Sequence, residues 1–517
     1  MKKVFVSIAA ASLALACTAV AAPTVATTGG TVASLAMADG STIYYGIPYA
    51  AAPTGPLRWK PPAPRPAWQG VLDASAMAPA CVQADIGWNK DFVANAREDC
   101  LTVSLRAPAP TPGRALPVLV YFHGGSNAAA GAGSLADDAL HREGIVVVKP
   151  QYRLGAFGFL GLDALRAEDP HGSAGNYGLL DQIAALRWVR ANIAAFGGDP
   201  GNVTISGNSA GATDALFLTL SPLARGLFQR AILQAPAPGA PRTPAQVDAI
   251  GNALLERLKL PRGAAGLARL RALPFDAING AAQNLPTPAG VDPSFLWEQQ
   301  DVDGHVLPLP YAQAYQAGAG RDIAILIGSN TQELGAERRA DTAPALVRAA
   351  FGRHADAALA LYGYREGTVP ASDPVLGSMP TQLVTDAWFR CPAHWLARQM
   401  GQATPAASSI WRYQFGFGAP GTGKPPEHTS EMGYVYRAVP ADSRAAEWPP
   451  LQRYWANFIR TGDPNGPGLS HWPATGVNDM LLSIEPSGIE AVADPRGALC
   501  ALLYRDRDYP GSPALPE

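Results

Sequence analysis

A serine between glycines, Gly207-Asn208-Ser209-Ala210-Gly211, is where covalent chemistry could begin in this chain. Strand-forming residues precede it, Val203-Thr204-Ile205-Ser206, and helix formers follow, Ala212-Thr213-Asp214-Ala215-Leu216-Phe217-Leu218. A strand, a tight turn and a helix in that order make a nucleophile elbow. The glycines allow a bend too tight for flanking side chains, and the serine on the bend holds its oxygen clear of the sheet. The pentapeptide alone is weak, because in a chain with 53 glycines such a run is often only a flexible turn. The strand before it, and the amphipathic helix Leu179 to Ala195 before that, favour a nucleophile.

A serine hydroxyl needs a neighbouring base at neutral pH. In sheets of this kind the partners follow in the order Ser, Asp or Glu, His, on loops at the carboxyl ends of strands. Glu333 fits the acid, in the loop Ser329 to Gly335 after the strand Ile323 to Ile327; its bland role would be to cap the next helix. Beyond it lie His354, His394, His428 and His471. His354 and His394 fall in helical patterns and His471 precedes Trp472-Pro473 in a turn. His428, in the polar loop Pro425-Pro426-Glu427-His428-Thr429-Ser430-Glu431, is placed to present an imidazole. The developing oxyanion needs backbone N–H donors, each worth about 2.7–4 kcal/mol when one is removed. His123-Gly124-Gly125-Ser126, just after the apolar strand Val118 to Phe122, is the glycine-rich loop expected to supply them. No lysine follows at P-loop spacing, so a nucleotide cradle is disfavoured. Asp301-Val302-Asp303-Gly304 resembles the start of a calcium loop but lacks the later ligands and reads as a turn. With neither Cys-x-x-Cys nor His-Glu-x-x-His in the chain, no metal and no cofactor are expected.

The elements that must position these residues are apolar strands at Val118–Phe122, Ile145–Val148, Val203–Ser206, Ala231–Leu233 and Ile323–Ile327, separated by helices. Near-unbroken apolar strands imply an α/β fold with a mostly parallel sheet covered on both faces. Residues 23 to 115 are rich in turns, with Pro61-Pro62-Ala63-Pro64-Arg65-Pro66 extended over the surface. Residues 240 to 320 and 336 to 410 read as helical insertions that cap the sheet and shape a substrate gorge. No repeat or charge-rich linker divides residues 22–517, which are expected to form a single domain.

Met1-Lys2-Lys3, the apolar run Val4 to Ala16 and the small-x-small Ala19-Val20-Ala21 make residues 1–21 a secretory signal, giving export to the periplasm or the medium. The 13-residue run is short of the roughly 18 needed for a span. A retained anchor ranks second, and lipid attachment at Cys17 third, since Ala14-Leu15-Ala16 is a poor attachment pattern. Cleavage leaves 38 basic against 42 acidic residues. There is no basic stripe and no basic amphipathic helix, which disfavours nucleic acid or a membrane surface as partner. Four cysteines remain, and in an exported chain they favour two disulfides, with three pairings open.

Blocks spread along the chain resemble the type-B carboxylesterase family, which includes cholinesterases and bacterial p-nitrobenzyl esterases. They include Gly46-Ile47-Pro48-Tyr49-Ala50, Leu57-Arg58-Trp59, Glu98-Asp99-Cys100-Leu101, Gly175 to Gln182, Phe196-Gly197-Gly198-Asp199-Pro200, Asn202-Val203-Thr204, Asn457-Phe458, Thr461-Gly462-Asp463-Pro464-Asn465 and Trp472-Pro473. The resemblance implies an α/β-hydrolase fold and a serine esterase for small-molecule esters. Ser209 would be the nucleophile, Glu333 the triad acid and His428 the base, with an oxyanion hole from the N–H groups of Gly125, Ser126 and Ala210. It also implies disulfides Cys81–Cys100 and Cys391–Cys500, and buried ion pairs Arg58–Glu98 and Arg153–Asp181. The chain departs from the family at Asn208, where Glu is usual; this argues for a neutral rather than cationic substrate and a less raised His428 pKa. Ala235 stands where a serine often supports the triad acid, and Ser126-Asn127 make a more polar wall. Trp88 lies in the loop where cholinesterases hold a cation-binding aromatic. Two alternatives share the fold: an adhesion protein, which would lack the triad filled here, and an amidase or peptidase using the same three groups.

Overall fold

The computed structural model describes residues 23–110, 113–287, 296–336, 342–365, 368–403, 410–441, 447–475 and 479–508. The signal segment and Cys17 lie outside the described residues. Eleven strands form one sheet: β1 (Leu35–Ala36), β2 (Thr42–Pro48), β3 (Thr102–Ala107), β4 (Leu116–Phe122), β5 (Val146–Pro150), β6 (Gly198–Asn208), β7 (Arg230–Gln234), β8 (Ala324–Asn330), β9 (Ile410–Phe415), β10 (Met480–Glu485) and β11 (Gly488–Ala493). Their spatial order is β1-β2-β3-β5-β4-β6-β7-β8-β9-β10-β11. The seven from β5 to β10 run parallel, and antiparallel strands close both edges.

All five strands expected from apolar runs are present. Their centres are sealed: Val118, Leu119, Val120, Val146, Val147, Val148, Ile205, Ile232, Leu233 and Ile327 are essentially unexposed. Each such side chain contributes about 1.5–3 kcal/mol through burial, which is why a strand covered on both faces reads as an unbroken apolar run. The remaining strands were not legible in this way. β2 and β3 sit in the proline-rich segment, and β10 and β11 pair with each other locally rather than through long apolar runs.

The helix α1 (Tyr177–Asn192) packs on the sheet much as its periodicity requires, and α2 (Ala210–Leu220) leaves the elbow with every residue buried. Helices occupy both insertions. The disulfides Cys81–Cys100 and Cys391–Cys500 close loops of 19 and 109 residues, worth about 3 and nearly 5 kcal/mol by loop-closure entropy. Both anticipated ion pairs form two-pronged contacts. Arg58 reaches Glu98 at 2.6 Å through both Nε and Nη2, and Arg153 reaches Asp181 at 2.7 Å through Nε and Nη2. Removing one partner would strand a charge in a poorly solvated place, so their role is to lock loops rather than to add net stability.

Candidate active site

The end of β6 passes directly into α2 through Ser209, whose backbone takes φ 57° and ψ −129°. That conformation costs a non-glycine residue on the order of 1–3 kcal/mol and persists only where surrounding structure enforces it. The enforcement is visible. A Cβ on Gly207 would overlap the backbone of Gly211, and one on Gly211 would overlap Phe122 and His123. Strand, bend and helix therefore fit together only with glycine at positions 207 and 211. The Ser209 N–H donates to the Gln234 carbonyl (2.9 Å), tying the bend to β7.

Glu333 follows β8 and is buried. Its Oε1 accepts the Asn330 N–H at 2.7 Å, its own N–H donates to Thr385 Oγ1 at 3.1 Å, and its Oε2 lies 2.6 Å from His428 Nδ1. The His428 N–H also donates to the Glu333 carbonyl at 2.7 Å, so the two loops are tied by main chain as well as side chain. The imidazole is half-buried, with the Phe389 ring 4.9 Å from it between centroids. Burial works against a charged ring here, but the Glu333 carboxylate outweighs it and holds His428 above its ordinary value. Glu431 adds a smaller upward push of its own. The other histidines go elsewhere: His354 pairs with Asp506, His394 with Asp494, and His471 is exposed.

With Ala235 unable to support the acid, Asn330 performs that role. Besides its N–H, its Nδ2 lies 3.4 Å from Glu333 Oε2 and donates to Glu431 Oε2 at 2.8 Å. Ala235 itself sits at φ 50° with its N–H on the Gly328 carbonyl. Glu431 is the residue that sequence reasoning missed. It is fully buried, accepts from Asn208 (3.3 Å) and Gln234 (3.2 Å), and is pushed up to about 7 by burial and then by the Glu333 charge. Three residues after the histidine, in the first turn of the short helix Ser430–Tyr436, it reads in sequence as an ordinary helix-start acid. The contact from Asn208 explains the departure there: an amide donates to Glu431, where a third carboxylate would repel it.

The glycine loop after β4 lies against the bend. A Cβ on Gly124 would stand 2.6 Å from the Asn208 carbonyl oxygen and 3.1 Å from Ser209 Cβ. Gly125, Ser126 and Asn127 all take positive φ, at 102°, 55° and 52°. Among the described residues no hydrogen bond takes up the N–H groups of Gly125, Ser126 or Ala210. Ala210 is the first residue of α2, where the helix end presents free donors and favours negative charge. Asp303 Oδ1 caps a turn by accepting the N–H groups of His305, Val306 and Leu307, and its Oδ2 accepts from Ser173 Oγ (2.5 Å) and Asn176 Nδ2 (3.0 Å), while Asp301 pairs with Arg242. Trp88 is 61% exposed.

Comparison with known proteins gives the family and the fold. A model of the carboxylesterase family matches residues 18–356 and 370–495. The chain belongs to the carboxylesterase family. It is 33% identical over 469 residues to fumonisin B1 esterase of Sphingopyxis macrogoltabida, covering 83% of this chain and 81% of that one. It is 33% identical over 473 residues to para-nitrobenzyl esterase of Bacillus subtilis (strain 168), covering 87% and 92%, and 32% identical over 505 residues to human cocaine esterase, covering 88% and 86%. A solved PNB esterase structure superposes with a TM-score of 0.77 at 30% identity, over 93% of this chain and 99% of that one. The protein is a carboxylic-ester hydrolase with the α/β-hydrolase fold. Among the described residues no helix of the esterase is long and apolar enough to cross a membrane, and no group of His, Cys, Asp or Glu is arranged to hold a metal ion.

Proposed function

We propose that this esterase hydrolyses neutral small-molecule esters through an acyl-enzyme on Ser209. His428 Nε2 takes the hydroxyl proton as Ser209 Oγ attacks the ester carbonyl. Glu333, bonded to Nδ1, fixes the tautomer and stabilises the imidazolium that forms. The tetrahedral oxyanion is held by the N–H groups of Gly125, Ser126 and Ala210. Collapse expels the alcohol, which receives the proton from His428. Water, deprotonated by the same imidazole, then attacks the acyl-enzyme and releases the acid and free Ser209. The observation that carries this reading is the strained backbone of Ser209 in a chain whose His428 is coupled to Glu333. An amide at Asn208 supports a neutral substrate, since the elbow itself adds no charge.

We also infer export with cleavage after Ala21, leaving residues 22–517 as one catalytic unit. Two disulfides and a single sheet running from Leu35 to Ala493 support it. The test of the mechanism is treatment with a fluorophosphonate, which labels a working serine nucleophile stoichiometrically. Labelling of wild type but not Ser209→Ala, with loss of p-nitrophenyl acetate hydrolysis by orders of magnitude, is expected. Full activity in a folded Ser209→Ala would remove Ser209 from the mechanism.

A further inference from the structure

The loops that carry Glu333 and His428 both rest on one buried turn. Between the helices Met379–Thr385 and Cys391–Ala403 the backbone widens into a single π-helical turn, Asp386–Arg390, closed by the Cys391 N–H on the Asp386 carbonyl. All five of its residues are buried. Such turns are rare and concentrate at functional sites. Two side-chain ladders leave this one. Thr385 and Phe389 face the triad: Thr385 Oγ1 accepts the Glu333 N–H at 3.1 Å, and the Phe389 ring lies 4.9 Å from the His428 ring. Asp386 and Arg390 form the second ladder, joined as an ion pair, and Arg390 Nη2 donates to the Thr331 carbonyl at 2.7 Å.

Arg390 is a costly way to hold a loop. It is buried, its Nε has no hydrogen-bond partner, and a guanidinium is tolerated in such a place only when paired. The pairing comes from Asp386, whose other oxygen takes Arg496 and the Tyr362 hydroxyl (3.1 Å). Burial alone would push the Asp386 carboxyl up; Arg496 and Arg390 outweigh it and hold it down. Arg496 stands four residues before Cys500, which is bonded to Cys391 next to Arg390. The C-terminal segment thus clamps Asp386 from one side, and Arg390 carries that clamp across to the acid loop. Thr331 is two residues before Glu333, and its own N–H is held by the Phe415 carbonyl at 2.7 Å. An ion pair serving packing alone needs no such third contact, and apolar side chains would fill the space as well.

We propose that the turn Thr385–Arg390 is a positioning element for the triad, with Arg390 setting the Glu333 loop through the Thr331 carbonyl, Thr385 fixing the Glu333 main chain and Phe389 bracing the imidazole. Burial lowers His428, and the charges that raise it are those of Glu333 and Glu431. Arg390 is not among them, so its effect on the base passes through the placement of Glu333. A carboxylate displaced from Nδ1 raises the ring less and holds its tautomer less firmly. That lowers kcat while leaving the binding of the ester unchanged.

This inference rests on the esterase reading of the Ser209 site. The experiment is the pH dependence of kcat and KM for p-nitrophenyl acetate, with thermal unfolding, in wild type, Arg390→Met, Arg390→Lys, Thr385→Val and Arg496→Gln. Arg390→Met should lower kcat by up to about 100-fold, the scale of misplacing a group by about an ångström. KM should change little, and the midpoint of kcat/KM, which reports the base of the free enzyme, should move down. Arg390→Lys keeps the charge, but one ammonium cannot span Asp386 and Thr331, so it should restore stability without restoring the midpoint. Thr385→Val, nearly the same shape, leaves the Glu333 N–H unpaired and should shift the midpoint the same way. Arg496→Gln unpairs the same Asp386 carboxylate without touching the acid loop; it should lower the melting temperature and keep the wild-type midpoint. Folded Arg390 variants with kcat within about twofold of wild type and an unmoved midpoint would overturn the proposal. So would an Arg496→Gln midpoint shifted as far as that of Arg390→Met, since general loosening would then explain both. If the Arg390 variants fail to fold, Thr385→Val decides by the same two readouts. Absence of fluorophosphonate labelling at Ser209 in wild type would instead defeat the esterase mechanism and this inference with it; labelling with unaltered profiles in the variants defeats only the inference.

Discussion

Replacing Glu333 by glutamine tests the centre of the mechanism. Oε1 accepts the Asn330 N–H at 2.7 Å and Oε2 meets His428 Nδ1 at 2.6 Å. In Glu333→Gln the amide oxygen remains best placed on the Asn330 donor, because an NH2 group there would face another N–H. The amide nitrogen must then point at Nδ1, turning it into an acceptor and moving the ring proton to Nε2. An imidazole in that tautomer cannot accept the Ser209 proton. Loss of the right tautomer at a triad of this type costs about 10⁴ in kcat, or about 5.5 kcal/mol of transition-state stabilisation. The carboxylate that raises His428 is also gone, so the midpoint of the residual activity should move to lower pH. The assay is kcat for p-nitrophenyl acetate from pH 5 to 9, with circular dichroism to establish folding. A folded Glu333→Gln keeping more than about a tenth of wild-type activity would refute the assignment of Glu333 as the group that sets the tautomer.

Ser209→Gly should abolish hydrolysis yet raise stability: it relieves a φ 57°, ψ −129° conformation worth about 1–3 kcal/mol, less about 0.5–1 kcal/mol for the added freedom of glycine when unfolded. Denaturant unfolding checks this, and a variant less stable than wild type would contradict the strain argument. Wild-type kcat/KM should rise with pH with its midpoint above the ordinary imidazole value of about 6.5, because the base must be neutral and His428 is raised. A midpoint at or below that value would mean Glu333 does not dominate the ring. The linked stability follows the same sign: the His428–Glu333 contribution is complete below about pH 6.5 and is lost as pH rises through the raised value, which thermal unfolding at pH 6 and 8.5 would register.

Much of this enzyme is written locally. The elbow is legible because a bend that brings Gly207 onto Gly211, and Gly211 onto Phe122, admits only glycine at those two positions. The parallel strands are legible because burial on both faces demands continuous apolar runs, and Glu333 because it follows such a strand. By contrast β2 and β3 owe their place to pairing with partners far along the chain, in a segment whose prolines obscure them.

What only the folded molecule decided is how distant polar groups compensate one another. Nothing about Asn330, Asn208 or Glu431 singles them out in sequence, yet together they orient the acid that Ala235 cannot support. Local patterning reports what each residue does to its own backbone and to water. The ionisation of a buried carboxyl depends on which charges and dipoles the tertiary fold sets beside it, and that information is nonlocal.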